Sequence, residues 1–324
     1  MVSRMTAVST FCCTVATVGL VLSAAAEEPG GRLRERLRER LEQRGSERTE
    51  APADRLRRPS DTSLGAPTWS DVAYGPDPLQ KLDVYTPTRN GKAPVLVMVH
   101  GGGWKRGDKI QGAALQNKVP YYTGKGWVVV SINYRLTPQV TPLEQADDVA
   151  AALVHVQRHT AAWGGDGHKV VLMGHSAGAH LVTLVTADAR QRFALQAAPW
   201  LGTVSLDGAG VDIEAAMRDG VSMRLLQNIY RGAFGNDPAL WRAASPMAQI
   251  RPGAYPLMLV CSTTRPDQPC GQTQAFVDKA RGLGVDARVL PVRLSHSEVN
   301  ADVGLDNAMT QAIDRFLVAV GATP

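Results

Sequence analysis

The chain has 324 residues, 44% of them hydrophobic and 20% charged, with a formal net charge of +5 and a pI near 9.1. That length and apolar content suffice for one large globular domain with a buried core, and they exclude a chain disordered throughout. The basic excess is modest for the size, and no lysine run interleaved with aromatics points to nucleic acid.

At the N-terminus, Arg4 precedes an apolar, small-residue run from Ala7 to Ala26 that ends Ser23-Ala24-Ala25-Ala26 before Glu27-Glu28. This is the layout of a secretory signal with an A-x-A cleavage site, so residues 1–26 are expected to be a signal peptide and the mature chain to be exported, periplasmic or secreted. The alternative is an uncleaved anchor, but the run is interrupted by Thr, Ser and Cys and is short for a span. No later stretch is apolar for long enough to cross a bilayer, so no stable span is expected after cleavage. Cys12 and Cys13 lack the leucine three residues earlier that a lipoprotein site would show. Only Cys261 and Cys270 then remain, and two cysteines in one loop region of an exported chain are expected to pair; two free thiols are the alternative.

Residues 27–65 change character: Arg32, Arg34, Arg36, Arg38, Arg40 and Arg44 alternate with Glu35, Glu39 and Glu42, while Leu33, Leu37 and Leu41 recur every fourth position. The spacing predicts a charged helix with a narrow leucine stripe. It reads as a solvated spacer, or alternatively as a docking element for a partner or an anionic surface. Pro52, Pro59 and Pro67 mark the linker into a domain over residues 66–324.

From there short apolar strands alternate with helical segments, the pattern of an α/β fold with a mostly parallel sheet covered on both faces. Strands are expected at Leu82–Tyr85 (antiparallel), Pro94–Val99, Trp127–Asn133, Lys169–Met173, Trp200–Ser205, Pro256–Ser262 and Ala287–Val292. Helices are expected at Leu143–Thr160, Ala177–Ala187, Gln272–Gly282 and Asn307–Val320. The stretch from Leu206 to Pro246 is long and irregular in pattern, with Tyr230, Phe234 and Trp241 in it, and reads as a small cap or insertion.

Gly174-His175-Ser176-Ala177-Gly178 follows the apolar run Val170 to Met173 and opens an apolar, small-residue helix. A serine on a sharp strand-to-helix turn needs neighbours without Cβ, and two glycines meet that need. A serine hydroxyl in turn needs an imidazole to take its proton. Of the two histidines after Ser176, His180 lies one turn along the same helix and is assigned to packing or capping, which leaves His296 as general base and acid. His155, His159 and His168 read as surface or helix residues.

An acid must hold the imidazole. In the order serine, acid, histidine it is expected after the penultimate strand, where Asp267 stands; Glu298 is the rival, two residues from His296. The other motif is His100-Gly101-Gly102-Gly103-Trp104, directly after a strand. Its glycines leave backbone N–H groups free to face a developing oxyanion, and Gly102, Gly103 and Ala177 are the expected donors. His100 is expected to shape the loop through a backbone hydrogen bond, and Trp104 to be either a wall of the acyl pocket or a core anchor.

These motifs resemble those of α/β-hydrolases of the esterase/lipase superfamily, nearest to the hormone-sensitive-lipase and bacterial acyl-esterase (BD-FAE-like) type, over Leu79 to Val320. Softer matches are Asn133-Tyr134-Arg135-Leu136, Asp147-Asp148, Gly164-Gly165-Asp166 and Ala244-Ser245-Pro246, which are structural in such enzymes. The stretch Arg265-Pro266-Asp267-Gln268-Pro269-Cys270 departs from the common G-x-x-D-x-x-V form. The resemblance implies an α/β-hydrolase fold and a serine carboxylesterase acting on short acyl or aryl esters of small molecules through an acyl-enzyme, with no metal or organic cofactor. Two alternatives stay open: an arylformamidase or amidase, and a hydrolase-like binding module whose catalytic residues are idle.

Overall fold

The computed structural model describes residues 65–88, 91–111, 115–188, 197–208, 210–220 and 223–324. The expected signal peptide and the arginine-rich stretch up to residue 64 lie outside the described residues. Eight strands, β1 (Trp69–Ala73), β2 (Lys81–Tyr85), β3 (Ala93–Val99), β4 (Val128–Ile132), β5 (Gly165–His175), β6 (Gly202–Leu206), β7 (Leu257–Ser262) and β8 (Ala287–Val292), form one sheet. Their order is β1-β2-β4-β3-β5-β6-β7-β8, with β2 antiparallel to both neighbours and every pair from β4 to β8 parallel. This mostly parallel sheet is the one the sequence pattern and the resemblance both predict.

The strands are valine-rich because both faces of the sheet are covered. Along β3 the pleat divides the side chains between two layers. Val95, Val97 and Val99 pack with helices α2 (Pro142–His159) and α3 (Ala177–Ala187), while Leu96 and Met98 pack with α1 (Lys118–Gly124) and α10 (Ala308–Ala319). Each fully buried side chain of this size contributes about 1.5–3 kcal/mol relative to leaving it in water. Helix α2 starts where Thr141 and Glu144 form a reciprocal capping box with Pro142 in the first turn.

Outside the stretch after Leu206, β1, α1 and the short helices α7 (Pro246–Gln249) and α9 (His296–Ala301) went unpredicted. All are four to seven residues long, too short for periodicity to register. The stretch after Leu206, expected to be irregular, is mostly helical: α4 (Ile213–Asp219), α5 (Arg224–Phe234) and α6 (Pro238–Ala243) occupy it, and α8 (Pro269–Gly282) follows β7. Asp212 and Asp237 cap α4 and α6 by accepting from backbone N–H groups. No described helix is long and apolar enough to cross a membrane.

Candidate active site

The parallel strands end on one edge of the sheet, and the sequence-marked residues leave from those ends. Ser176 follows β5 directly. Its backbone, φ +56° and ψ −118°, is a conformation that costs a non-glycine residue about 1–3 kcal/mol. The surrounding glycines are required by contact. A Cβ on Gly174 would lie 2.3 Å from the Gly178 carbonyl oxygen, and one on Gly178 would lie 2.3 Å from that of Val99.

His296 opens α9, whose first turn is closed by a capping box between Ser295 and Glu298. Glu298 Oε2 accepts the Ser295 N–H at 2.7 Å, so the rival acid caps the helix that presents the base. Ser176 Oγ lies 3.0 Å from His296 Nε2. The other ring nitrogen, Nδ1, lies 2.6 Å from Oδ2 of Asp207.

Asp207, not Asp267, is therefore the carboxylate on His296. The strand register explains the correction. His175 of β5 pairs with Leu206 of β6, so the next residues, Ser176 and Asp207, leave adjacent strands at the same height, within one imidazole's reach. Asp267 sits one strand further on, beyond Arg265, whose Nε and Nη2 donate to its two carboxylate oxygens at 2.9 and 2.5 Å. The expectation followed chain order and so placed the acid after β7. The available signal was Asp207-Gly208 directly after an apolar strand, the same placement as Ser176 after β5.

Asp207 is fully buried and every carboxylate contact points to a charged role. Oδ1 accepts the Ser262 N–H at 2.8 Å, and Oδ2 accepts from Arg265 Nη1 at 2.9 Å as well as from His296. Burial alone would raise its pKa, but the His296 hydrogen bond, the Arg265 charge and the Ser262 N–H together hold it below the ordinary carboxylate value. Its φ of +47° adds backbone strain of the same kind as at Ser176.

Two other histidines crowd the site and stay neutral. His175, unassigned by sequence reasoning, donates from Nε2 to the His296 carbonyl at 2.9 Å, and its ring lies 4.5 Å from that of His296. Burial, and then the neighbouring His296, push its pKa down to about 3. His180 is pushed down to about 4 by burial. It accepts from Trp104 Nε1 at 3.1 Å and donates to the Ala244 carbonyl at 2.7 Å, the packing role expected for it.

The glycine loop runs against the nucleophile: a Cβ on Gly101 would lie 3.0 Å from Ser176 Cβ. Gly102 and Gly103 have φ of +124° and +61°. Among the described residues the N–H groups of Gly102 and Gly103 donate to no backbone carbonyl outside the helices and strands, and Ala177 is the first residue of α3, where an N–H has no intrahelical acceptor. His100 holds the loop by bonding its Nδ1 to the Gly101 carbonyl at 2.8 Å and stacking on Tyr134. Trp104 is fully buried against Tyr230 and Phe234, a core anchor rather than a pocket wall. Among the softer matches, Asp148 accepts from Arg135 and Gln80, buried polar contacts of the structural kind expected.

The sulfurs of Cys261, in β7, and Cys270, in the first turn of α8, lie 2.04 Å apart, with Cα atoms 5.3 Å apart. The pair brackets the loop that carries Arg265 and Asp267.

Esterase LipQ of Mycobacterium tuberculosis is 31% identical over 261 residues, covering 74% of this chain and 58% of its own length. Isoprenylcysteine alpha-carbonyl methylesterase ICME of Arabidopsis thaliana is 26% identical over 246 residues, covering 68% of this chain and 54% of its own. The chain thus spans a little over half the length of these relatives. Among solved structures, Thermogutta terrifontis esterase 2 phosphonylated by sarin superposes with a TM-score of 0.67 at 22% identity, covering 83% of this chain and 99% of that one. A truncated carbohydrate esterase from gut microbiota gives a TM-score of 0.66 at 18% identity, covering 78% of this chain and 96% of that one. The fold is that of the α/β-hydrolases. The BD-FAE family model matches residues 82–280, and the chain belongs to that family.

Proposed function

We propose that the protein is a serine carboxylesterase that cleaves short acyl or aryl esters through an acyl-enzyme. The observation that carries this reading is the continuous chain from Ser176 Oγ to His296 to Asp207, at 3.0 and 2.6 Å, on three strand ends. The esterase names of its relatives support it.

In the proposed reaction Ser176 Oγ attacks the ester carbonyl carbon while His296 Nε2 takes the hydroxyl proton. Asp207 accepts the Nδ1–H, fixing the tautomer and balancing the imidazolium. The carbonyl oxygen becomes an oxyanion facing the N–H groups of Gly102, Gly103 and Ala177. As the tetrahedral intermediate collapses, the C–O bond to the alcohol breaks and His296 Nε2–H protonates the leaving oxygen. Water, deprotonated by the same nitrogen, then attacks the acyl-enzyme and frees Ser176. His175 and His180, whose pKa values burial pushes down to about 3 and about 4, are weak bases and leave that role to His296, whose side chain is 41% exposed. Ile229 of α5 packs against the loop, its Cγ2 lying 3.1 Å from where a Cβ on Gly103 would be. Export and a formed Cys261–Cys270 bridge belong to the same proposal.

A fluorophosphonate probe tests the reading: labelling is expected on Ser176 and lost in Ser176→Ala. An unlabelled native protein, or labelling elsewhere, would remove it. Activity against p-nitrophenyl esters of increasing chain length, beside the matching anilides, is expected to peak at short esters; preference for anilides would move the assignment to an amidase.

A further inference from the structure

We propose that Arg265 is a positioning residue for Asp207 and that Asp267 is its counter-charge, so that the three side chains act as one charge-balanced unit behind His296. The inference rests on the esterase reading for its kinetic consequence.

A cation touching the acid of such a triad poses an electrostatic problem. Arg265 Nη1 donates to Asp207 Oδ2 at 2.9 Å, the oxygen that also receives His296 Nδ1–H, and lies 3.4 Å from that nitrogen. The guanidinium fixes the carboxylate, since Ser262 N–H and Arg265 hold one oxygen each. By itself it would also cancel the negative charge that the imidazolium formed during turnover requires. Asp267 removes this conflict. It takes the remaining fork of the guanidinium through Nε and Nη2, and two carboxylates around one guanidinium leave one negative charge facing His296.

The side chains are 0%, 11% and 16% exposed for Asp207, Arg265 and Asp267, so these charges act with little solvent screening, unlike a surface pair. The loop holding Arg265 and Asp267 is bracketed by Cys261 and Cys270 and includes Gln268 at φ +47°. His175 from the end of β5 also faces His296, and Glu298 lies on the same short helix, with its carboxylate on the Ser295 N–H. Lys118 of α1 reaches the Asn300 carbonyl and Oδ1 at the far end of α9, with Asp302 nearby. Lys118 is pushed down to about 7 by burial. It is common to every variant below, so its titration cancels in their differences.

The test is the pH profile of kcat/KM for p-nitrophenyl butyrate in five proteins: native, Asp267→Asn, Arg265→Gln, the double variant and Asp267→Glu. Removing Asp267 alone leaves no net charge behind His296, destabilises the imidazolium and moves the acid limb down by about one pH unit. Removing Arg265 alone leaves two negative charges and moves it up by a similar amount. The double variant restores one negative charge, so its limb returns to within about 0.3 unit of native while kcat stays depressed, because the anchor on Asp207 is gone. Asp267→Glu keeps the limb in place. Singles that shift together, singles that do not shift, or a double that does not return would overturn the proposal, as a purely structural ion pair predicts no opposed shifts. If Arg265→Gln does not fold, Asp267→Asn against Asp267→Glu decides alone. The same displacements read on the His296 ring by NMR titration need no turnover, so failure of the esterase reading and failure of this inference are separately visible.

Discussion

At the nucleophile end of the site, between β3 and β5, residue identity follows from steric fit within and between two short motifs: Gly174 against Gly178, His100 against its own neighbour's carbonyl, and Gly101 of one motif against Ser176 of the other. At the acid end, between β6 and β8, it follows from pairings across the chain. Asp207 meets Ser262, Arg265 and His296 at separations of 55 to 89 residues. The first region tolerates almost no added atom. The second is a balance of charges, in which a residue's role depends on which carboxylate the register brings to the imidazole. Steric damage should therefore dominate at one end and electrostatic damage at the other.

The sharpest break is at the nucleophile. Ser176→Ala should lower kcat by about 10⁴-fold or more with the melting temperature nearly unchanged, since Cβ and backbone are retained. Gly102→Ala comes next. The new Cβ would lie 1.9 Å from the Arg106 carbonyl oxygen at a φ of +124°, so the loop must rebuild. Loss of an oxyanion donor then costs about 10²–10³-fold in kcat, read on p-nitrophenyl esters against unchanged circular dichroism.

At the acid end the effects are smaller and depend on pH. Folding holds the Asp207 carboxyl below its ordinary value of 3.8. Its contribution to stability is present above that value and is lost as pH falls through the lower folded one. Denaturant unfolding from pH 6 to pH 3 should show a steeper loss in the native protein than in Asp207→Asn. If the proposed Cys261–Cys270 bridge is formed, reducing it should cost about 2–3 kcal/mol, since so short a loop restricts the unfolded chain only modestly. Calorimetry with and without reductant reads this, and no change would mean the thiols are free.

The difference between the two ends also explains what the sequence made legible. The sheet, the long helices, Ser176 and the glycine loop were readable because each is written in local pattern, hydrophobic periodicity or a glycine where no Cβ fits, while His296 was reached by elimination, as the other histidine after Ser176. The acid was not, because a carboxylate's role depends on strand register, and both Asp207 and Asp267 follow a strand. Chain order favoured the one after β7, and the aromatic-bearing stretch beyond Leu206 drew Asp207 into what read as a cap. His175 was missed for a related reason: its partner is a backbone carbonyl 121 residues away. The short helix α9, which sets the angle of His296, is six residues long and was marked only by its Ser295-x-x-Glu298 box.

The most direct test of the arrangement is a comparison of Asp207→Asn with Asp267→Asn, measured as kcat at the plateau pH. If Asp207 holds His296, its asparagine variant should lose about 10⁴-fold, as a triad loses when the tautomer is no longer fixed, while Asp267→Asn stays within about tenfold of native. A loss in Asp267→Asn equal to or deeper than that in Asp207→Asn would contradict it.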